Sequence, residues 1–139
     1  MSTNLQFSIA VHIMAALGYQ GCDGSMSSGV LAKSINANPS FVRRVLARLS
    51  KAGLVRTSKG KSGCCSLAKP AASITLLDIY HAVEAPQVFT IHEYEDQKSC
   101  IVSCGIKSSL EKVLEKTQRS MEDGLKKVRL SEVVSDLKR

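Results

Sequence analysis

Cys100 and Cys104 stand four residues apart in Cys-Ile-Val-Ser-Cys. At that spacing two thiols can meet on one helical turn, or flank a helix N-terminus, where the thiolate is favoured. Such a pair suits oxidation sensing or soft-metal binding; the plainer reading is two small residues packed where a helix begins. Cys64 and Cys65 are adjacent, so on a strand they point to opposite faces, one packed and one exposed, where modification would weaken a nearby binding surface. Cys22 lies in a glycine-rich connection without an evident partner. Five cysteines are an odd number, and the opening residues lack the basic region of a secretory signal, so the set is expected to be thiols in the cytoplasm rather than a disulfide framework. His12 sits inside an apolar helical stretch and reads as a core histidine. His92 beside Glu93 is the better metal or effector candidate, but two cysteines and one histidine lack the fixed spacing of a zinc site. Ser, His and Asp form no nucleophile motif, and no glycine loop opens a helix around a phosphate, so an enzyme is not expected.

The cations are more informative than the thiols. The chain of 139 residues carries a net charge of +7, and the charge is unevenly placed. Between Asp23 and Asp78 there is no acidic residue but nine basic ones, Lys33, Arg43, Arg44, Arg48, Lys51, Arg56, Lys59, Lys61 and Lys69, while the remainder of the chain is weakly acidic. A block of this kind suits nucleic acid, an anionic membrane or a polyanionic partner, or is merely a solvated face. Hydrophobic content of 44% supports one ordinary core, and no segment reads as a membrane span.

Periodicity decides what the basic block does. Residues 4–18 form a helix that is apolar on more than one side, through Leu5, Ile9, Ile13 and Leu17 and again through Phe7, Val11 and Met14. Ser27 or Ser28 caps a short helix carrying Val30, Leu31 and Ile35. Asn38-Pro39 then supplies an N-cap and a first-position proline for a second helix of residues 39–52, with Val42, Val45, Leu46 and Leu49 inward and Gly53 beyond its end. Ser40, Arg43, Arg44, Ala47, Arg48 and Lys51 are left facing outward, a mixture of phosphate-binding cations and small groups that fits a major groove. Ser28, at the start of the preceding helix, joins this DNA-contacting set. Residues 54–57 and 64–67 read as strands around a glycine-rich turn, a wing whose tip lysines Lys59 and Lys61 reach phosphate or the minor groove.

Thr75 and Asp78 have capping-box spacing for a helix running toward Pro86. Residues 86–104 read as an irregular sensor connection. From Ile106 a stripe through Leu110, Val113, Leu114, Met121 and Leu125 marks a helix of about 20 residues, roughly 30 Å long, for packing on another subunit. Residues 130–137 read as a short closing helix. The expected organisation is thus a DNA-binding unit (1–85), a cysteine-containing connection (86–104) and a dimerisation helix with its closing helix (105–139). The fold class is mainly α with a small β-hairpin wing.

Several stretches resemble the Rrf2-type transcription regulators, which include regulators of iron–sulfur biogenesis, nitric-oxide sensing and cysteine metabolism. They are the opening helix from Phe7 to Leu17, Leu31-Ala32, the run NPSFVRRVLARLSKAGLV from Asn38 to Val55, the glycine wing of residues 60–63 with Leu67-Ala68, and ITLLDIYHAVE from Ile74 to Glu84. The resemblance implies a winged helix-turn-helix homodimer that binds imperfect palindromes in double-stranded DNA, usually as a repressor. Two departures stand out. Lys59, Gly63, Cys64 and Cys65 occupy the wing where relatives carry arginine and a Gly-Gly-aromatic sequence. Cluster-binding relatives carry three cysteines before the dimerisation helix, whereas only Cys100 and Cys104 stand here. No cofactor is therefore expected. Thiol sensing of an oxidant or electrophile is the leading signal, an iron–sulfur or metal sensor the alternative, and a protein-interaction module with a basic surface the alternative from another class.

Overall fold

The computed structural model describes residues 5–19, 26–58 and 64–138. The helix α1 (Leu5–Tyr19) is the pivot of the fold. It touches three later helices as well as the following one, and the sheet too, which is why its sequence is apolar on more than one side. Ala10, Ile13, Met14 and Leu17 have no exposed surface. The strand β1 (Met26–Ser27) leads into α2 (Ser28–Ile35), whose first turn is capped by the Ser27 hydroxyl accepting from the Val30 amide at 3.2 Å. Asn36 ends α2 in the left-handed region at φ 59°, a conformation Asn tolerates better than most residues.

Asn38 accepts the Ser40 amide at 2.8 Å and Pro39 occupies the first turn of α3 (Pro39–Lys51). Val42, Val45, Leu46 and Leu49 are buried along its inner stripe; each such side chain contributes about 1.5–3 kcal/mol when fully removed from water. Gly53 takes φ 79° after the helix, and the Leu54 amide reaches back to the Leu49 carbonyl at 3.0 Å. The chain then enters β2 (Val55–Thr57) and returns as β3 (Cys64–Leu67).

The sheet is three-stranded and antiparallel, in the order β1-β3-β2. Cys65 pairs with Thr57 on one side and Met26 on the other, so the wing is anchored to the start of α2. A 3₁₀ turn at Ala71–Ser73 precedes α4 (Leu76–Ala82), which has the expected capping box between Thr75 and Asp78. After the connection, α5 (Ile101–Lys126) runs for 26 residues, about 39 Å. The chain closes with α6 (Leu130–Leu137). The α5–α6 junction is tied to the start of α4: the Leu76 amide donates to Val128, the Leu130 amide to Ile74, and the Arg129 guanidinium to the Ala72 carbonyl at 2.7 Å.

The helix therefore begins four residues before the 105 boundary expected from sequence. Cys100 is its N-cap and Cys104 lies in its first turn, so the irregular connection stops short of both thiols. The tip lysines Lys59 and Lys61 and Cys22 lie outside the described residues.

α1 and α6 approach closely at Gly18, where an added Cβ would stand 2.9 Å from the Val134 Cγ2 methyl. Alanine would gain about 0.5–1 kcal/mol over glycine in helix propensity, but Val134 is buried and stiff at χ1, and overpacking costs about 1–3 kcal/mol. Gly18→Ala is therefore expected to lower stability by about 1 kcal/mol in urea titration; an unchanged or raised midpoint would show that α6 yields there freely.

Candidate nucleic-acid interface

The outward side of α3 faces a groove of about 550 Å³ bounded by the wing. Arg43, Ala47 and Lys51 line one wall, Thr57 and Ser58 the other, with Ser28 at one end and Cys65 among the lining residues. Two neighbouring contacts pose the arginines. The Arg43 guanidinium donates to the Ser40 hydroxyl at 3.2 Å, one turn back on the same face. The Arg44 guanidinium lies 5.4 Å from the centre of the Phe41 ring, a cation–π contact that leaves its donors to solvent. No acidic side chain occurs on α2, α3, β2 or β3, so the surface keeps its positive potential undiluted.

Arg48 is separated from this set. At about 100° per residue it lies on the edge of the outward face, and its guanidinium donates to Gln6 Oε1 at 3.0 Å and to the Val83 carbonyl at 3.1 Å. It clamps α3 to α1 and to the end of α4. Sequence periodicity placed it outward because the partners lie 42 and 35 residues away, beyond any local pattern.

Cys64 and Cys65 alternate as adjacent strand residues must: Cys65 is buried and Cys64 half-buried. Burial pushes the Cys65 thiol above its ordinary range, and the neighbouring Cys64 adds to the shift. A raised thiol pKa keeps the neutral form in the fold, so this contribution to stability is full below the ordinary value and fades as pH rises beyond it.

The second thiol pair sits where the connection meets α5. The Cys100 Sγ accepts the Ser103 amide at 3.4 Å, and the Cys104 thiol donates to the Gln97 carbonyl at 3.4 Å. Ser103 also accepts the Gln97 amide at its hydroxyl (2.9 Å) and the Tyr94 hydroxyl at its carbonyl (2.6 Å). Both thiols are exposed, yet both belong to the network that folds the connection onto the first turn of α5. His92 stacks on Tyr94 with ring centres 4.9 Å apart and does not join Cys100 and Cys104 in a donor set. His12, read as a core residue, is exposed and faces the Ser34 hydroxyl at 3.1 Å. Ser8, one turn earlier on the same side of α1, is exposed as well. Among the described residues of a single chain, no three His, Cys, Asp or Glu side chains converge as a metal cage would require.

α5 buries none of its residues in this chain. Ile101, Val102, Ile106 and Val113 are exposed, while Leu110, Leu114, Met121 and Leu125 are half-buried. Helical spacing puts Val102, Ile106, Leu110 and Val113 on one side, with Met121 and Leu114 along its edge, and Leu114, with Gln118 and Glu122, borders the connection. No helix among the described residues is long and apolar enough to cross a membrane.

Comparison with known proteins agrees with this architecture. Residues 3–136 match the Rrf2 family, described as iron-dependent transcriptional regulators. The chain is 35% identical over 135 residues to YwnA of Bacillus subtilis, named as an HTH-type transcriptional regulator, covering 96% of this chain and 98% of that one. A solved structure described as a DNA-binding protein is 32% identical, with a TM-score of 0.72 over 92% of this chain and 97% of that one. CymR of B. subtilis, titled the global cysteine regulator, shares the fold at 19% identity, with a TM-score of 0.70 over 97% of both chains. The family and these relatives are regulators rather than enzymes, and the residues described here do not assemble a metal site within one chain. The chain belongs to the Rrf2 family of winged helix-turn-helix transcriptional regulators.

Proposed function

We propose that the protein is a cytoplasmic homodimer that binds an imperfect palindrome in duplex DNA and represses transcription from it. The observation that carries this reading is the acid-free groove between α3 and the wing, lined by Arg43 and Lys51, with Arg44 exposed on the same helix. Ser40 and Ala47 are small enough to let the helix approach base edges, while Ser28 and the wing lysines Lys59 and Lys61 contact the backbone. Two such helices in a dimer would lie one helical turn of DNA apart, about 34–36 Å, and read the two halves of the palindrome. The dimer is supported by the apolar stripe of α5, in which Val102, Ile106 and Val113 are exposed and Leu110 and Met121 half-buried. A second copy is the natural occupant, because its identical helix offers an equal length of apolar surface flanked by Lys and Glu. Leu114, included in the stripe from sequence, has less to offer a partner because it borders the connection within the chain.

The test is binding as a function of salt. Each phosphate neutralised by a cation contributes about 0.9 to the logarithmic slope, so replacing Arg43 and Arg44 together by alanine, which removes four cations from a dimer, should reduce the slope by roughly three to four and weaken binding at least about tenfold at low salt. Arg48→Ala should instead chiefly lower stability, by about 1–2 kcal/mol, through the lost bonds to Gln6 and Val83. Unaltered affinity and slope after the double replacement would contradict the reading.

The signal we propose is modification of thiols by an oxidant or electrophile, with Cys100 and Cys104 as the first targets and Cys64 and Cys65 as secondary ones. What supports this is that the first pair is exposed while its sulfurs hold the connection on α5. CymR, a cysteine regulator by its title, has the same fold. Site-resolved alkylation of the native protein should label Cys100 and Cys104 well before Cys65, and replacing the first two by serine should make DNA binding insensitive to peroxide. Rapid labelling of Cys65, or a peroxide response that survives both replacements, would move the sensor elsewhere.

A further inference from the structure

We infer that Gln118 is a positioning residue: with Tyr80 it fixes the direction of α5 against the DNA-binding unit, and so sets the half-site spacing that the dimer accepts. The inference rests on the reading of the protein as a DNA-binding dimer and names the contacts that give it its geometry. α4 is the helix against which α5 lies. Along that seam Gln118 makes two bonds in opposite directions. Its Nε2 donates to the Tyr80 hydroxyl at 2.9 Å, and its Oε1 accepts the Val88 amide at 3.0 Å. Tyr80 in turn donates to the Pro86 carbonyl at 2.6 Å and packs edge-on against Phe7 of α1 at 5.8 Å. One turn further along α5, Glu122 meets His81 at 3.4 Å. The carboxamide thus joins α5, α4 and the first residues of the connection at one point.

The same α4 is gripped from its other side by the recognition helix. Val83 is the C-cap of α4, and the chain leaves through Glu84 in the left-handed region at φ 51°. The Val83 carbonyl accepts the Arg48 guanidinium of α3. A carbonyl at the end of a helix lacks an intrahelical partner, and Arg48 supplies one. Three side chains, Arg48, Tyr80 and Gln118, therefore link the helix that faces the groove to the helix that faces the second copy. At the far end α5 is held by the Val128, Arg129 and Leu130 bonds to the start of α4. With that end fixed, losing the Gln118 bonds lets the helix swing about it, and the swing changes the separation of the two recognition helices. Because Val88 lies in the connection that leads to Cys100 and Cys104, Gln118 is also where a change in that connection reaches α4.

The experiment selects a duplex from a random library with the wild-type protein, then varies the separation of its half-sites by one or two base pairs in either direction. Gln118→Leu, which keeps the bulk and removes both bonds, should bind the selected duplex about tenfold more weakly. It should bind a single half-site as wild type does, and its spacing profile should be flattened. Tyr80→Phe removes only the hydroxyl and should flatten the profile in the same sense, so it decides the matter if the leucine variant does not fold. Wild-type spacing profiles in the folded variants would overturn the inference while leaving the DNA reading intact. A wild-type protein that selects no duplex would overturn that reading, and this inference with it.

Discussion

Burial of Val42, Val45, Leu46 and Leu49 against the body is the contact on which the rest depends. A helix can bury only one side on a small core, so choosing that stripe also chooses what is left outside: Ser40, Arg43, Arg44, Ala47 and Lys51. Positive charge on α3 is therefore as much a consequence of packing as of composition. The same packing requires α1 to serve as a common floor for α2, α3, α4 and α6, and explains why α1 is apolar on more than one side. The wing follows from the floor as well, since Cys65 in its central strand is buried and paired on both sides.

What distinguishes the second half is the opposite condition. α5 carries no buried residue, and a 26-residue helix supported on one side by α4 has its apolar stripe exposed at Val102, Ile106 and Val113 and only half-buried elsewhere. Isolated helices are marginal in water, and the fold meets this with backbone bonds at the α5–α6 junction and with side-chain bonds at Gln118 and at the Cys100 cap. Polar contacts of this type hold a direction without burying area, whereas the α1 floor does the reverse. The result is a packed unit joined to a long helix through identifiable bonds.

Sequence signals were sufficient wherever a structural choice is local. Asn38-Pro39 starts α3, Thr75 and Asp78 start α4, and residues 64–67 form a strand because each decision is made by side chains within a turn of one another. They were insufficient where the partner is distant. Met26–Ser27 is a strand only because Cys64 and Cys65 come to lie beside it, and two residues carry no periodicity of their own. Asn36 as a left-handed stop was legible in principle, as asparagine tolerates αL, but was masked by the stronger signal of Asn38-Pro39. The start of α5 came earlier than expected because Cys100 caps it with sulfur, an unusual N-cap beside the usual oxygen side chains. Of the candidate site, the groove cations were legible from spacing; the diversion of Arg48 and the Tyr80–Gln118 seam were not, since they join residues dozens of positions apart.

The central claim is that the outward side of α3 enters the major groove twice, once from each chain of a dimer. Methylation interference addresses it directly, because the guanine N7 lies in that groove. On a duplex selected by the protein, methylated guanines that prevent binding should fall in two clusters about one helical turn apart, or a whole number of turns. A single cluster, or interference at no guanine, would contradict the account.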